Sequence, residues 1–329
     1  MRALALFSGG LDSMLSIKII TMQNIEVVAL NINIGFGSIK DMSEIFKNRA
    51  NKAGASFQVV DVRQRYIDEV LFSSKYGYGK NFNPCIDCHG FMLNVAKELL
   101  GELKADFIIS GEVLGQRPMS QNRASLNNVL KLSNDEEDVI LRPLSAKLLK
   151  PTTPEIKGWV DREKLFDIQG RDRKRQFELA KKFGFDEYQT PGGGCLLTEE
   201  FFSKKLREFI EHKPLRVNDI DLLKIGRHFR LPNGAKLVLG RDERENDILE
   251  KMENSEYLSL CLDENLMGPS GKISKEANRE DKLLACQITL AFAKASKEST
   301  HVVKVGDEDL QVTPSLDKNE AKRYSLNEK

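Results

Sequence analysis

The sequence predicts an α/β fold, a doubly wound parallel sheet, followed by a second and smaller α+β domain. Three observations support this prediction. Short apolar runs alternate with helical stretches from residue 2 to residue 114, which is typical of parallel sheets. Two glycines separate the first apolar run from the first helix, as expected where a strand turns into a helix. Farther along, "HFRLPNGAKLVLG" places the turn residues "PNG" between two short strands, which predicts a tight hairpin.

The predicted elements follow in a simple order. Strands are expected at 2–7, 25–34, 57–62 and 105–114, with another in "DVILRPLS", and "MLSIKIITMQ" is the first crossover helix. Helices are then expected in "DRKRQFELAKKFG" and "EEFFSKKLREFIEHK", the latter stopping before Pro214. We therefore expect domains over 1–212 and 213–312. Because "DKNEAKRYSLNEK" has few apolar residues, we expect a flexible tail over 313–329.

Composition limits the functional classes. The 329 residues are 40% hydrophobic and 30% charged, which fits a globular protein with a sizeable core. The chain has no long apolar run and reaches two glycines early, so we expect neither a membrane span nor a secretory signal, and a cytoplasmic location. With a net charge of +1, any RNA contact must come from local patches. Five cysteines, two of them in a Cys-x-x-Cys, argue against a secreted disulfide framework.

The stretch "SGGLDS" lies between the first strand and the first helix. Glycines allow close backbone approach, and a helix N-terminus offers unpaired N–H groups, so this turn suits a phosphate or pyrophosphate. The phosphate-binding residues predicted here are Ser8, Gly9, Gly10, Asp12 and Ser13. Asp12 is also the candidate Mg²⁺ ligand. No G-x-x-x-x-G-K-[ST] occurs in the chain, so this is not a Walker loop.

A second loop, "GEVLGQRPMSQ", follows the fourth predicted strand. Ligands of open parallel sheets bind beyond the carboxyl ends of the strands, so this loop should face the same crevice as "SGGLDS". Gly111, Gln116 and Arg117 are predicted to bind the nucleotide, with Arg117 on a phosphate. Gln121 is expected to contact a base edge or a ribose.

Three cysteines have surroundings that suggest chemistry. In "NPCIDCH", Asn83 is predicted as the N-cap and Pro84 as the first helical residue, which places Cys85 and Cys88 in the first helical turn. The positive end of that helix should favour thiolates over thiols. In "PGGGCLLT", three glycines give Cys195 a flexible approach to its partners.

These thiols leave three chemistries open. Cys85, Cys88 and Cys195 could hold an iron–sulfur cluster that has one iron without a protein ligand. Alternatively, Cys85 or Cys88 could carry a persulfide that Cys195 resolves as a disulfide. A structural zinc site with His89 is the third and least favoured, because His89 adjoins Cys88 in the sequence.

A basic stretch accompanies the predicted hairpin. Between residues 213 and 241, seven lysines and arginines face two aspartates. Basic side chains bind RNA phosphates without sequence readout. The RNA-binding residues predicted in this stretch are Arg227, Arg230, Lys236 and Arg241. Residues 170–176, "GRDRKRQ", should extend the patch through Arg171, Arg173, Lys174 and Arg175.

These motifs resemble known families. The strand–"SGGLDS"–helix resembles the PP-loop of the ATP pyrophosphatase superfamily, whose adenine nucleotide α-hydrolase-like fold cleaves ATP to adenylate a substrate oxygen. "GEVLGQ" resembles a loop of tRNA 4-thiouridine synthetases and "NPCIDCH" one of tRNA 2-thiouridylases. A Cys-x-x-Cys with a later cysteine resembles cluster-dependent tRNA thiolation enzymes. The chain starts at the PP-loop, without the ferredoxin-like and THUMP domains of 4-thiouridine synthetases, so tRNA capture is expected elsewhere. The hairpin and the next helix resemble the NFACT RNA-binding domain.

The resemblance implies an ATP-dependent tRNA sulfurtransferase that adenylates a uridine carbonyl oxygen and replaces it with sulfur. The implied catalytic residues are Asp12, Cys85, Cys88 and Cys195, and the implied cofactors are ATP, Mg²⁺ and a 4Fe–4S cluster on the three cysteines. The implied partners are tRNA and a sulfur donor, either a cysteine desulfurase or inorganic sulfide. The target uridine and a homodimer stay open. The alternatives are persulfide chemistry, a small-molecule PP-loop enzyme with structural zinc, and a nucleotide-sensing RNA-binding adaptor.

Overall fold

The computed structural model describes residues 1–188 and 194–326. It divides into two compact units, Met1–Thr198 and Glu199–Lys329. Of the predicted glycine loop, residues 191–193 lie outside the described residues.

The first unit is built on a five-stranded sheet in the order β3-β2-β1-β4-β5, with every neighbouring pair parallel. Its strands are β1 (Arg2–Leu6), β2 (Glu26–Asn33), β3 (Ser56–Asp61), β4 (Phe107–Ile109) and β5 (Ile140–Leu141). The chain reverses its direction of winding between β3 and β4, so β1 and β4 flank the switch point where such sheets bind ligands. The predicted doubly wound fold is confirmed.

Helices of the first unit pack around this sheet. They are α1 (Leu11–Thr21), α2 (Ser43–Ala53), α3 (Arg63–Tyr66), α4 (Cys85–Glu98), α5 (Arg123–Leu132), α6 (Thr153–Ile156) and α7 (Lys174–Phe183), and α3 continues as a π-helix over Ile67–Leu71. The core combines aliphatic residues of β1 and β2 with most of α1, whose Met14, Leu15 and Ile17 have no exposed surface. Because α1 is buried on several sides, its N-terminus is fixed at the edge of the sheet.

The second unit contains a six-stranded antiparallel sheet in the order β11-β10-β8-β9-β7-β6. Its strands are β6 (Arg227–Arg230), β7 (Lys236–Leu239), β8 (Tyr257–Leu262), β9 (Gly271–Ser274), β10 (His301–Val305) and β11 (Glu308–Val312). Its helices are α8 (Glu200–Ile210), α9 (Val217–Leu223), α10 (Glu243–Lys251), α11 (Arg279–Phe292) and α12 (Lys318–Lys322). The core on one face of the sheet includes residues of α11. The predicted hairpin and second α+β domain are confirmed.

The structure moves the boundary between the two units to Thr198, ahead of the predicted residue 212. The reason lies in α8, which interacts with the second unit through polar side chains. Lys205 donates to the Leu223 carbonyl over 2.6 Å. Glu208 binds Lys236 of β7 over 2.6 Å. These ties to a remote part of the chain are not visible in the amphipathic pattern of α8 itself.

The predicted flexible tail is wrong for residues 313–326. Asp317 caps α12, and Ala321 is fully buried in the core of the second unit. The segment also pairs with β6, because the Arg230 N–H donates to the Tyr324 carbonyl over 3.1 Å and the Leu326 N–H donates to His228 over 2.9 Å. A few apolar side chains and an unpaired strand edge are enough to order this segment.

One local prediction also changes. Helix α4 begins at Cys85 with Pro84 as its N-cap, one residue later than predicted. Cys85 and Cys88 still occupy the first turn. Within the described residues, no helix is both long and apolar enough to cross a membrane.

Candidate nucleotide and thiol site

The turn between β1 and α1 has the geometry of a phosphate cradle. Gly10 is the N-cap of α1, and Gly9 has a φ of +70° that disfavours side chains. A Cβ on Gly9 would lie 2.4 Å from the Phe46 ring, so no larger residue fits. Ser13 donates its hydroxyl to the Gly10 carbonyl over 2.8 Å, and Ser8 is exposed. The turn therefore presents a helix N-terminus and a hydroxyl at the switch point of the sheet.

The loop after β4 lies directly against this turn. A Cβ on Gly111 would come within 2.7 Å of the Ser13 backbone nitrogen, so only glycine allows the two backbones to approach this closely. The predicted juxtaposition of the two loops is therefore present in the structure. Gln121, expected to meet a base or ribose, is buried instead, and its Oε1 has no hydrogen-bond partner among the described residues.

Asp12 is the centre of a polar network in the crevice. Gln116 Nε2 donates to Asp12 Oδ2 over 2.8 Å, and Arg173 Nη2 donates to Asp12 Oδ1 over 2.9 Å. Gln176 in turn donates to Gln116 Oε1 over 2.9 Å. Arg173, which the sequence placed in the RNA-binding patch, is therefore paired with Asp12 at the start of α1.

A buried ion network that sequence reasoning missed lies beside Gly111. Glu112 accepts from Arg142 Nε over 2.9 Å and lies 2.7 Å from His89 Nδ1. Burial alone would raise the pKa of Glu112, but Arg142 and His89 overcome it and lower the pKa to about 2. The sequence shows only that Glu112 belongs to "GEVLGQ" and Arg142 to "LRPLS", and neither motif indicates that the two residues form an ion pair. Their pairing depends on the contact between β4 and β5.

The three predicted cysteines are neighbours in the folded chain. Burial raises the pKa of Cys88 far above its usual value, and the nearby Cys195 and Cys85 raise it further. Burial also raises the pKa of Cys195 to about 11, although hydrogen bonds from the backbone N–H groups of Leu197 and Thr198 lower it in part. Both are therefore thiols at neutral pH when no cation is bound. The predicted thiolate preference at the end of α4 is thus wrong for Cys88, because burial outweighs the helix end.

Cys85 differs from the other two thiols in being partly exposed. Asn83 Nδ2 donates to Cys85 Sγ over 3.1 Å, which fixes the position of the sulfur. Arg117 is exposed, and its charge offsets a small part of the rise that burial causes in the pKa of Cys195.

The described residues do not show a gathered set of metal ligands. Among residues 1–188 and 194–326, no group of three or more His, Cys, Asp or Glu side chains is arranged to hold a metal ion. His89, the fourth ligand of the zinc hypothesis, faces Glu112. Cys85, Cys88 and Cys195 would have to lose their thiol protons to bind any metal centre.

Most of the predicted RNA-binding residues have partners within the chain. Lys236 is only 2% exposed and binds Glu208 over 2.6 Å, so its RNA-binding assignment is wrong. Glu208 also accepts from Arg230 over 2.5 Å. The intramolecular partners of the others are Gly240 for Arg227, Glu245 for Arg241, Asp172 for Lys174 and Asp167 for Arg175. Arg171 alone of this predicted set is exposed and makes no ion pair in the described chain.

Family models match both units. Residues 2–80 match the N-terminal HUP domain of arginosuccinate synthase, and residues 226–328 match the RNA-binding domain of NFACT proteins. The predicted resemblance of the hairpin region to this RNA-binding domain is thereby confirmed, and the match extends through α12.

Curated relatives point to tRNA thiolation enzymes. The chain is 22% identical to a tRNA-specific 2-thiouridylase of Symbiobacterium thermophilum, covering 63% of this chain and 55% of that protein. It is 27% identical to a probable tRNA sulfurtransferase of Thermococcus kodakarensis, covering 57% of this chain and 42% of the relative. An uncharacterised protein of Methanocaldococcus jannaschii is 29% identical over 43% of this chain and 54% of its own length. The chain thus spans about half the length of these relatives.

Among solved structures, the chain is similar to a 4-thiouridine synthetase in complex with RNA and ATP, with 19% identity and a TM-score of 0.42, covering 68% of this chain and 52% of that one. Residues 2–80 of the first unit are thus similar to a HUP domain, and residues 226–328 of the second unit are similar to an NFACT RNA-binding domain.

Proposed function

We propose that this protein is an ATP-dependent tRNA sulfurtransferase. The observation that carries the proposal is that the loop after β4 contacts both groups of residues. Its Gln116 donates to Asp12, and its Met119 accepts from Asn83, whose side-chain amide also donates to Cys85 Sγ. Two of the relatives named above are named as a tRNA-specific 2-thiouridylase and a probable tRNA sulfurtransferase, and residues 226–328 match an RNA-binding domain. Activation of an oxygen by ATP and delivery of a sulfur are the two halves of thiolation.

In the first half-reaction, the turn from Ser8 to Ser13 binds the phosphates of ATP. A uridine carbonyl oxygen attacks the α-phosphorus, the bond to pyrophosphate breaks, and the base becomes an adenylate. Negative charge grows on the phosphate oxygens, where backbone N–H groups of the turn and the guanidinium of Arg173 stabilise it. Asp12 would hold Mg²⁺, whose charge would be supplied to the phosphate oxygens.

In the second half-reaction, sulfur attacks the adenylated carbon and AMP leaves. An iron–sulfur cluster held by Cys85, Cys88 and Cys195 would supply an iron that binds the transferred sulfide. Arg117, which lies near Cys195, neutralises the leaving phosphate. Glu112 keeps the loop after β4 in place through its buried ion pair with Arg142.

A persulfide on Cys85 is the second candidate sulfur source, favoured by its partial exposure and by the Asn83 N–H on its sulfur. Its terminal sulfur would attack the base. A second cysteine would then attack the S–S bond, forming a disulfide and releasing the thiouridine, and a thiol reductant would restore both thiols.

Metal analysis separates the two sources. Purified without oxygen, the protein should contain iron and acid-labile sulfide and absorb visible light. Serine at position 85, 88 or 195 should lower the iron content, whereas the control Cys261→Ser should not, because Cys261 lies in the other unit. An active protein that contains no iron would exclude the cluster and leave the persulfide route.

A substitution in the PP-loop tests the ATP half-reaction. We expect Asp12→Asn to lower ATP–pyrophosphate exchange at least on the order of a hundredfold, because it removes the Mg²⁺ ligand, while tRNA binding is retained. The matched control is Asp172→Asn, an exposed carboxylate. Mass spectrometry of tRNA nucleosides reads out the complete reaction. Unchanged thiolation by Asp12→Asn would refute the assignment of the ATP site.

A further inference from the structure

A cluster of exposed aromatic rings lies directly before the Cys-x-x-Cys. The fractional exposure is 44% for Phe72, 39% for Tyr76 and 40% for Tyr78. Lys75 and Lys80 are interleaved with these rings, and residues 72–80 contain no acidic side chain. We call residues 72–80 the aromatic segment. Rings that alternate with cations are typical of surfaces that bind unpaired nucleic acid, since rings stack on bases and cations contact phosphates.

The aromatic segment is fastened to the thiol site by Asp87, the acidic residue inside the Cys-x-x-Cys. The buried carboxylate of Asp87 accepts from the Ser74 hydroxyl over 2.8 Å, from the Lys75 N–H over 2.7 Å and from the Tyr76 N–H over 3.1 Å. Gly79 is bound to the Asn83 carbonyl over 3.0 Å. The rings are therefore held in place beside the first turn of α4, so binding costs little ordering of the chain.

The rings differ in the contacts that they make within the chain. Phe82 packs against Phe72 at 6.1 Å and against Tyr78 at 5.0 Å between ring centroids, and the Tyr78 hydroxyl donates to the Leu71 carbonyl over 2.8 Å. Tyr76 makes no contact with another ring or a cation in the part of the chain that the structure describes. A ring with an open face is the natural stacking position for a base.

We propose that the aromatic segment binds an unpaired RNA nucleotide, whose base stacks on Tyr76 while Lys75 and Lys80 contact the neighbouring phosphates. This inference rests on the proposed function and adds to it the place where the substrate strand is held. A base that reacts with sulfur must leave its stack to reach the thiols, and a stacking ring next to Cys85 compensates for the stacking lost. Neither lysine has an ion-pair partner within residues 1–188 and 194–326, so both charges are available to phosphates.

Binding of the full chain to an unmodified tRNA transcript tests the inference, measured by fluorescence anisotropy without ATP. We expect Tyr76→Ala to weaken binding by about tenfold to a hundredfold, the usual range for a lost stacking contact, and Tyr76→Phe to retain it. The control is Ile156→Ala, another exposed apolar residue of the first unit. Lys75→Ala and Lys80→Ala should each lower the slope of log K against log salt by about 0.7.

Cross-linking locates the RNA independently of affinity. RNA containing 5-bromouridine is irradiated on the full chain, and the modified peptide is identified by mass spectrometry. A cross-link within residues 72–80 supports the inference. It is overturned by cross-links confined to the second unit, by full affinity in Tyr76→Ala, or by a chain that binds no RNA. Unchanged RNA binding in Tyr76→Ala together with loss of sulfur transfer from a donor protein would assign the segment to a protein partner.

The two proposals fail in different ways. ATP–pyrophosphate exchange and thionucleoside formation report on the proposed function, whereas the cross-link and the anisotropy report on the aromatic segment alone. A chain that cross-links at Tyr76 and forms no thionucleoside would refute the sulfurtransferase and leave the RNA site in place.

Discussion

At the residue scale, Arg173 shows how a contact in the fold changes the meaning of a sequence pattern. In "GRDRKRQ" it is one of several basic residues. In the structure its guanidinium is 13% exposed, binds Asp12 and lies 5.7 Å from the Phe177 ring centroid. We therefore propose that Arg173, held beside "SGGLDS", contacts a nucleotide phosphate and not RNA.

This placement gives a prediction for Arg173→Ala. We expect kcat/KM for ATP to fall on the order of a hundredfold to a thousandfold, the usual loss for one positioned donor to a developing charge, with RNA affinity and its salt slope unchanged. The exposed Arg171→Ala is the control and should leave ATP use intact. The opposite pattern, weaker RNA binding with normal ATP turnover, would show that Arg173 binds RNA, as the sequence predicted.

Glu112 gives a prediction of pH dependence. Arg142 and His89 overcome burial and hold the pKa of Glu112 at about 2, below the ordinary 4.5. A carboxyl with a lowered folded-state pKa stabilises the fold above about pH 4.5 and loses that stabilisation as the pH falls toward 2. Glu112→Gln should therefore reduce the free energy of unfolding at pH 7 by on the order of 3 kcal/mol and remove much of the loss between pH 4.5 and 2.

Urea unfolding of the wild type and Glu112→Gln at pH 7, 4 and 3 measures this effect. Asp61→Asn is the control, because Asp61 is also paired with an arginine but is half exposed, and such pairs contribute less than about 1 kcal/mol. Parallel pH curves for the wild type and Glu112→Gln would mean that Glu112 titrates normally.

At the element scale, α8 shows why a helix cannot be assigned to a domain from its own pattern. Its Glu208 neutralises Lys236 of β7 and Arg230 of β6 on the sheet of the second unit. Burial lowers the pKa of Lys236 to about 8, although the negative charge of Glu208 raises it in part. The positive charges of Arg230 and Lys236 in the predicted hairpin are therefore neutralised by Glu208 of α8.

Two substitutions separate this structural role from RNA binding. Glu208→Gln should destabilise the second unit by about 3 kcal/mol, because it leaves a buried cation without its partner. Lys236→Met should change the stability by less than about 1.5 kcal/mol, because it removes the buried charge and keeps the length of the side chain. Denaturant unfolding measures the stabilities, and a gel shift measures RNA binding. A marked loss of RNA affinity in Lys236→Met with normal stability would contradict the structural role.

At the scale of the whole molecule, each unit brings a different capacity. The first unit contains the Asp12 network, the Glu112 ion network and three neighbouring thiols. The other unit matches an RNA-binding domain over 226–328. With a net charge of +1 for the chain and most of the predicted basic patch already paired, RNA affinity must come from a few exposed cations and rings. Stacking at the aromatic segment is consistent with that requirement.

The sequence by itself determined the order of the elements, the doubly wound sheet and the glycine turn before α1, and it singled out Cys85, Cys88 and Cys195 as candidate ligands. These depend on local signals, namely apolar periodicity, glycines at a strand-to-helix turn and cysteine spacing. Only the tertiary structure decided which charges remain available. The pairing of Asp12 with Arg173, the Glu112–Arg142 ion pair and the covering of Lys236 by α8 each join residues far apart in the chain. Burial and long-range pairing set the protonation and accessibility of a side chain, and neither is encoded in its neighbours along the sequence.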